Sequence, residues 1–196
     1  MRFPVVLYAR QHPIRIGHGG EWITDANLGL ARAFDMSTKH FDKVIEQLGI
    51  LIVDGNQYSR KLTRTMLMNV GAKTIMESPD GVTALDLIRN SNPDVAIIEW
   101  DLPVLSGPEL VRIVRSPGVF PKPFLPIVML TAIAQQSRVS EAVSLGVHEF
   151  LVKPTSPQAL RDRLLSILIK PRQMIQTGEH YVPEPRKTAA ELLRIS

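Results

Sequence analysis

Four polar side chains stand where four apolar runs stop. Gly49-Ile-Leu-Ile-Val runs into Asp54, Val95-Ala-Ile-Ile into Glu99, Ile127-Val-Met-Leu into Thr131, and Phe150-Leu-Val into Lys153. Runs this short and this apolar, bounded by turn signals such as Asn92-Pro93, read as strands buried on both faces. If the strands are parallel, their carboxyl ends share one edge, where open α/β sheets take their ligands. Two carboxylates there suit a magnesium ion, which favours oxygen ligands. A hydroxyl and an ammonium beside them can grip phosphoryl oxygens. Any one of the four alone reads as a solvated residue at a strand end. The ordered set is what points to chemistry.

These side chains need elements to carry them, and from residue 49 the chain alternates strand with helix five times. After the run to Asp54, Asn56 opens a helix whose Leu62, Met66, Leu67 and Val70 share a face, and Gly71 ends it. Lys73–Met76 reads as the second strand. Pro79-Asp80-Gly81 starts a helix with Ala84, Leu85 and Ile88 inward, closed by Asn92-Pro93. The central strand to Glu99 follows. Ser106-Gly-Pro-Glu begins a helix with proline in its first turn, where the missing donor does no harm; Leu110, Ile113 and Val114 face inward. After the strand Pro126–Thr131, Ser137 is expected to cap a helix bearing Val139, Ala142 and Val143 on its inner side. Strand Glu149–Lys153 precedes Ser156-Pro157, which opens a helix with Leu160, Leu164, Ile167 and Leu168. Such alternation implies right-handed crossovers and a doubly wound α/β fold, a five-stranded parallel sheet with helices on both faces.

Over residues 48–170 the chain resembles the receiver domain of bacterial two-component response regulators. Thr131-Ala132, Lys153-Pro154 and Phe150, three residues before the lysine, match that family's pattern. Trp100-Asp-Leu-Pro103 matches its loop that offers a backbone carbonyl, here from Asp101, to a metal. The resemblance implies the flavodoxin-like strand order 2-1-3-4-5. It makes Glu99 the phosphoacceptor position, Thr131 and Lys153 the phosphoryl contacts, Phe150 the switch aromatic, and Asp54, Glu99 and Asp101 the surroundings of a magnesium ion. It also implies a cytoplasmic signalling module rather than an enzyme. Its partner would be a protein, a histidine kinase or a downstream effector, met through the fourth helix, fifth strand and fifth helix of the repeat. Homodimerisation through that face is open.

Two departures bear on mechanism. The phosphoacceptor position holds Glu99 instead of aspartate, and the second acid of the family's pair is replaced by Gly55. Losing a carboxylate ligand leaves a weak magnesium site at best. Because phosphoryl transfer depends on metal-assisted positioning, phosphorylation should be slow or absent. Glutamate also carries its carboxylate one bond, about 1.5 Å, further from the backbone. Negative charge then lies toward the place of an acyl phosphate, within reach of Thr131 and Lys153. Glu99 either mimics the phosphorylated state, drawing Thr131 and then Phe150 inward, or pairs with Lys153 and fixes one conformation. A carboxylate has less charge and fewer acceptor oxygens than a phosphoryl group, so mimicry would be partial. A third reading keeps a receiver that a histidine kinase still phosphorylates with magnesium. Without the family pattern, Phe150 reads as a plain core aromatic.

The chain has 196 residues, 44% hydrophobic and 21% charged, enough for one ordinary core with additions. No apolar run reaches the roughly 20 residues of a membrane span. Zero cysteines exclude disulfides and thiolate metal sites. The five histidines, at 12, 18, 40, 148 and 180, show no pair at ligand spacing, and no Gly-x-Ser-x-Gly elbow is present. A net charge of +4 raises the question of nucleic acid, yet residues 48–169 carry 12 Lys and Arg against 11 Asp and Glu. With no base-reading helix pattern, a nucleic-acid-associated role is the least favoured reading. Arg60, Lys61 and Arg64 on the first repeat helix could steer an acidic partner, or form a solvated face.

The ends read less clearly. Residues 1–47 form an N-terminal extension, disordered over its first 35 residues, with a helix over 25–48 and Met36 as an alternative start. Gly17-His-Gly-Gly20 lacks the Gly-Lys-Ser/Thr of a phosphate loop. Residues 171–196 form a proline-containing basic tail, read as disordered with a short helical segment over Thr188–Ile195. That is too little chain for an output domain, so a stand-alone receiver is expected.

Overall fold

The protein was analysed as a computed structural model that describes residues 14–16, 21–23, 38–169 and 171–185, with side chains from residue 43. The elements in chain order are β1 (Ile14–Ile16), β2 (Glu21–Ile23), α1 (Thr38–Gln47), β3 (Gly49–Val53), α2 (Gln57–Asn69), β4 (Thr74–Ser78) and α3 (Gly81–Ser91). They continue with β5 (Val95–Glu99), α4 (Gly107–Arg115), β6 (Ile127–Thr131), α5 (Gln136–Ser144), β7 (Glu149–Val152), α6 (Pro157–Ile169), β8 (Met174–Thr177) and β9 (His180–Pro183). Among the described residues, no helix is long and apolar enough to cross a membrane.

Five strands form one parallel sheet in the order β4-β3-β5-β6-β7, which is 2-1-3-4-5 counted within the sheet. The three inner strands are apolar and buried on both faces, so alternate side chains feed two separate cores. Leu51, Val53, Ala96, Ile98, Ile127 and Met129 pack with α3, α4 and Ala142 of α5. Ile50, Ile52, Ile97, Val128 and Leu130 pack with α2 and α6 on the other side. Ile45 and Leu48 join this second core, so α1 is built onto the sheet; of the helix expected over 25–48, the part before residue 38 lies outside the described residues.

Local signals place the helix starts. Asn56 accepts from the Tyr58 and Ser59 amides, Asp80 from that of Thr83, and Ser106 forms a reciprocal capping box with Glu109. Asn92 closes α3 in the left-handed conformation. Three expectations need correction. Leu62 points to solvent, and Thr63 takes its place inside α2. The N-cap of α5 is Gln135, whose side chain makes no cap bond, and Ser137 lies within the first turn. Of the three residues assigned to its inner face only Ala142 is buried; Val139 and Val143 are exposed, so α5 meets the core along a narrower face than α4, a helix of the same length that buries six residues.

Both ends contain more strand than composition suggests. Ile14–Ile16 pairs antiparallel with Glu21–Ile23, inside the stretch read as disordered; its remainder, with Met36, lies outside the described residues. In the tail, β8 and β9 form an antiparallel hairpin around Gly178, whose φ is 60°. The Phe124 and Tyr181 rings meet edge to face at 4.9 Å, and the Tyr181 carbonyl lies 2.2 Å from where a Cβ on Gly146 would stand. Pro183 argued for disorder, yet proline is tolerated at a strand end and on an edge strand. The helical reading of Thr188–Ile195 lies outside the described residues.

Arg115, the last residue of α4, is fully buried. Its Nε donates to the Gly146 carbonyl (2.9 Å), Nη1 to that of Pro123 (2.7 Å) and Nη2 to that of Leu125 (2.7 Å). Burial lowers its pKa to about 9, so it remains charged at neutral pH. His148 Nδ1 lies 3.3 Å from Arg115 Nη2 and 3.3 Å from the Ile127 amide. Burial, with the charges of Arg115 and Arg172, holds the imidazole pKa well below its usual value, so the ring is neutral and accepts. One guanidinium thus ties the end of α4 to the loops entering β6 and β7.

Candidate functional site

The four strand-end residues meet at one edge of the sheet. Asp54 follows β3 and is buried. Its Oδ1 accepts from the Asn56 amide at 2.9 Å; its Oδ2 accepts from Ser59 Oγ at 2.5 Å and Lys153 Nζ at 2.7 Å. Ser59 sits in the first turn of α2, which the Asn56 cap sets in place. Its hydroxyl also accepts from Lys153 at 2.8 Å. The Asp54 carbonyl is taken by Arg60 Nη1 at 2.6 Å. Arg60 and Arg64 both pair with Glu77 of β4, so two of the three cations read as a steering or solvated face are ion-paired within the fold.

Glu99 ends β5 with 7% exposure. Its Oε1 accepts from the Trp100 amide at 2.9 Å, and its Oε2 is ion-paired with Lys153. One ammonium therefore serves both buried carboxylates. Burial pulls the Lys153 pKa down, but the hydrogen bonds to Asp54 and Glu99 and the charges behind them outweigh it, and the group sits above its usual value.

Thr131, fully buried at the end of β6, belongs to a second group. Its Oγ1 accepts from the Ile133 amide at 3.1 Å and from Arg138 Nη1 at 3.0 Å. Arg138, in the first turn of α5, also grips Asp101 with two nitrogens, at 2.8 and 3.3 Å, and lies 5.1 Å over the Trp100 ring. Trp100 in turn meets Phe150 of β7 edge to face, with centroids 6.4 Å apart. Among the described residues no hydrogen bond joins Glu99 to Thr131. Sequence reasoning named Asp54, Glu99, Asp101, Thr131, Phe150 and Lys153; five stand at this edge, while Phe150 lies further back in β7, opposite Met129, and is joined to it through the Trp100 ring. That reasoning missed Ser59 and Arg138, whose type and position carry no motif.

A magnesium ion asks for oxygen ligands in near-octahedral array. Here Asp54 and Glu99 converge on the Lys153 ammonium, and the exposed Asp101 carboxylate turns to Arg138. Among the described residues no three His, Cys, Asp or Glu side chains come together as a metal site. Gly55 cannot simply regain an acid, because a Cβ there would lie 2.8 Å from Pro103 Cδ, a ring fixed to the backbone. Gly55→Asp is therefore expected to lose about 1–3 kcal/mol through overpacking. Adding Pro103→Ala should restore most of that in urea melts; equal melts for Gly55→Asp and the wild type would disprove the clash.

A family model described as the response regulator receiver domain matches residues 50–165. The chemotaxis protein CheY of Pseudomonas aeruginosa is 33% identical over 118 residues, 60% of this chain and 94% of that protein. A CheY homolog of Campylobacter jejuni is 32% identical over 120 residues, 61% of this chain and 91% of that protein. Among solved structures, the chemotaxis response regulator CheY4 of Vibrio cholerae is 30% identical with a TM-score of 0.54, covering 61% of this chain and 97% of that one. The receiver domain of a Pseudomonas aeruginosa sensor histidine kinase, with a magnesium ion coordinated in its active-site cleft, is 27% identical with a TM-score of 0.55. It covers 63% of this chain and 98% of its own.

Proposed function

We propose, for a chain that belongs to the response regulator receiver domain family, a two-component signalling module that acts through protein contacts without accepting a phosphoryl group. One observation carries this reading: both oxygens of Glu99 are engaged, Oε1 by the Trp100 amide and Oε2 by Lys153. Each oxygen keeps a lone pair, but the lysine's charge draws on the carboxylate and makes it a poorer nucleophile. The lysine that would contact an incoming phosphoryl group is itself divided between Glu99, Asp54 and Ser59. The same contacts support a fixed conformation over mimicry, since Glu99 spends its charge on Lys153 and Thr131 turns to Arg138. Magnesium, on this reading, is not held: Lys153 supplies the positive charge between the two acids. The module carries out no chemistry of its own and stays in the cytoplasm, the compartment its family implies.

The partner is a protein, a histidine kinase or an effector, and the proposed surface is the face of α5, β7 and α6. Val139, Val143 and Val152 are exposed there. Exposed apolar side chains gathered on these elements suit a protein contact, whether with another protein or a second copy. Incubation with acetyl phosphate and magnesium, followed by intact-mass measurement, tests the reading. The expected mass is unchanged, while a phosphorylatable receiver treated alike gains an adduct. An adduct on this chain that disappears in Glu99→Gln would overturn the proposal.

A further inference from the structure

We infer that Arg138 is a positioning residue that latches α5 onto the site, setting Thr131, Trp100 and through it Phe150 in one arrangement. Thr131 is satisfied by this contact. A hydroxyl offers two acceptor lone pairs, and here the Ile133 amide takes one and Arg138 the other. The switch-position hydroxyl is thus held by a residue of the next helix. Arg138 in turn is fixed from two further sides, by the forked pair with Asp101 and by the Trp100 face. A planar guanidinium meets all three demands at once; an ammonium cannot.

The helix that carries Arg138 has little else to hold it. Its N-cap makes no side-chain bond, and only Ala142 is buried. Among the described residues its other polar side-chain tie to the rest of the fold is the Arg112–Glu141 pair, with both partners more than two-fifths exposed. Such elements lie at the low end of local stability, where a single contact decides position. Arg138 therefore links a shallowly anchored helix to Asp101, two residues beyond Glu99, and the ring contact of Trp100 with Phe150 extends the link to β7. The α5–β7 surface is then set by a cation of the chain itself. This inference concerns the coupling of the site to α5 and stands whether or not Glu99 can be phosphorylated.

Amide hydrogen exchange over 136–144, with Trp100 emission recorded in a Trp22→Phe background, tests it. Arg138→Gln and Asp101→Asn are each expected to speed exchange across α5 about tenfold and to shift Trp100 emission, while β3 and β5 amides keep their protection. Because both variants break one device, the double variant should exceed the larger single effect by no more than about twofold. Arg138→Lys keeps the pair with Asp101 but not the reach to Thr131, and falls between. Unchanged α5 exchange in both single variants would overturn the latch. So would single effects that multiply in the double variant, or core amides that loosen in step with α5. Asp101 is exposed, so Asp101→Asn tests the latch even if Arg138→Gln folds poorly.

Discussion

Lys153→Met is expected to lower stability by about 3 kcal/mol, because it leaves Asp54 and Glu99 facing one another with no cation between them. Their side chains are 3% and 9% exposed, so water cannot replace the ammonium without reopening the site. Glu99→Gln alone should be far milder, since Lys153 keeps Asp54 and Ser59. Combining the two should recover part of the Lys153→Met loss by removing one of the two stranded charges. The pH dependence carries a sign. The folded-state pKa of Lys153 is raised, so its contribution is complete below the unfolded value near 10.5 and fades as pH rises through the higher folded value. The difference between wild type and Lys153→Met in urea melts should therefore be constant near neutrality and shrink above about pH 10.5. A neutral-pH difference under about 0.5 kcal/mol, typical of a surface pair, would place the ammonium outside the site's balance.

Arg115→Leu is expected to cost about 4 kcal/mol, in the range reserved for broken buried networks. The change strands the carbonyls of Gly146, Pro123 and Leu125 together, and an unpaired buried polar group costs about 1–3 kcal/mol. Arg115→Lys retains charge but cannot span three acceptors in one plane, and should fall between. The effect should have a location. Gly146 lies against Tyr181, so the β8–β9 hairpin should lose amide protection before the sheet does. A loss of less than about 1 kcal/mol would mean that water takes over the carbonyls.

How much of this was legible in the sequence depended on how far each feature reaches along the chain. The strand ends Asp54, Glu99, Thr131 and Lys153 were legible because an apolar run stops abruptly at each, and a parallel sheet brings those stops to one edge. The helix starts at Asn56, Asp80 and Ser106 were legible because caps act within three residues. Arg138 was not: it meets Asp101 across 37 residues, and only the packing of α5 shows that its guanidinium turns inward. Arg115 was missed because arginine defaults to solvent, and what overrides that default is a ring of carbonyls from the loop after α4 and from Gly146, 31 residues on. The extra reach of Glu99 was visible from its chemistry, but its partner was not. Two candidates stood within range, and the ammonium already bound to Asp54 takes the carboxylate. The terminal hairpins were hidden by prolines and glycines that composition reads as breakers.

The most direct measurement is an amide NMR titration of the wild-type protein with magnesium and beryllofluoride, followed at Thr131, Phe150 and Lys153. A Glu99→Asp, Gly55→Asp, Pro103→Ala variant, in which both family acids return and the ring that blocks them is removed, serves as the comparison. Silent wild-type resonances are expected, with shifts at those three residues in the variant: Lys153 already neutralises the site, and restoring the acids reopens it to metal and phosphoryl. Saturable shifts in the wild type would contradict the account, because they would mean that metal and phosphoryl displace Lys153 from Glu99 and that the site is still a working switch.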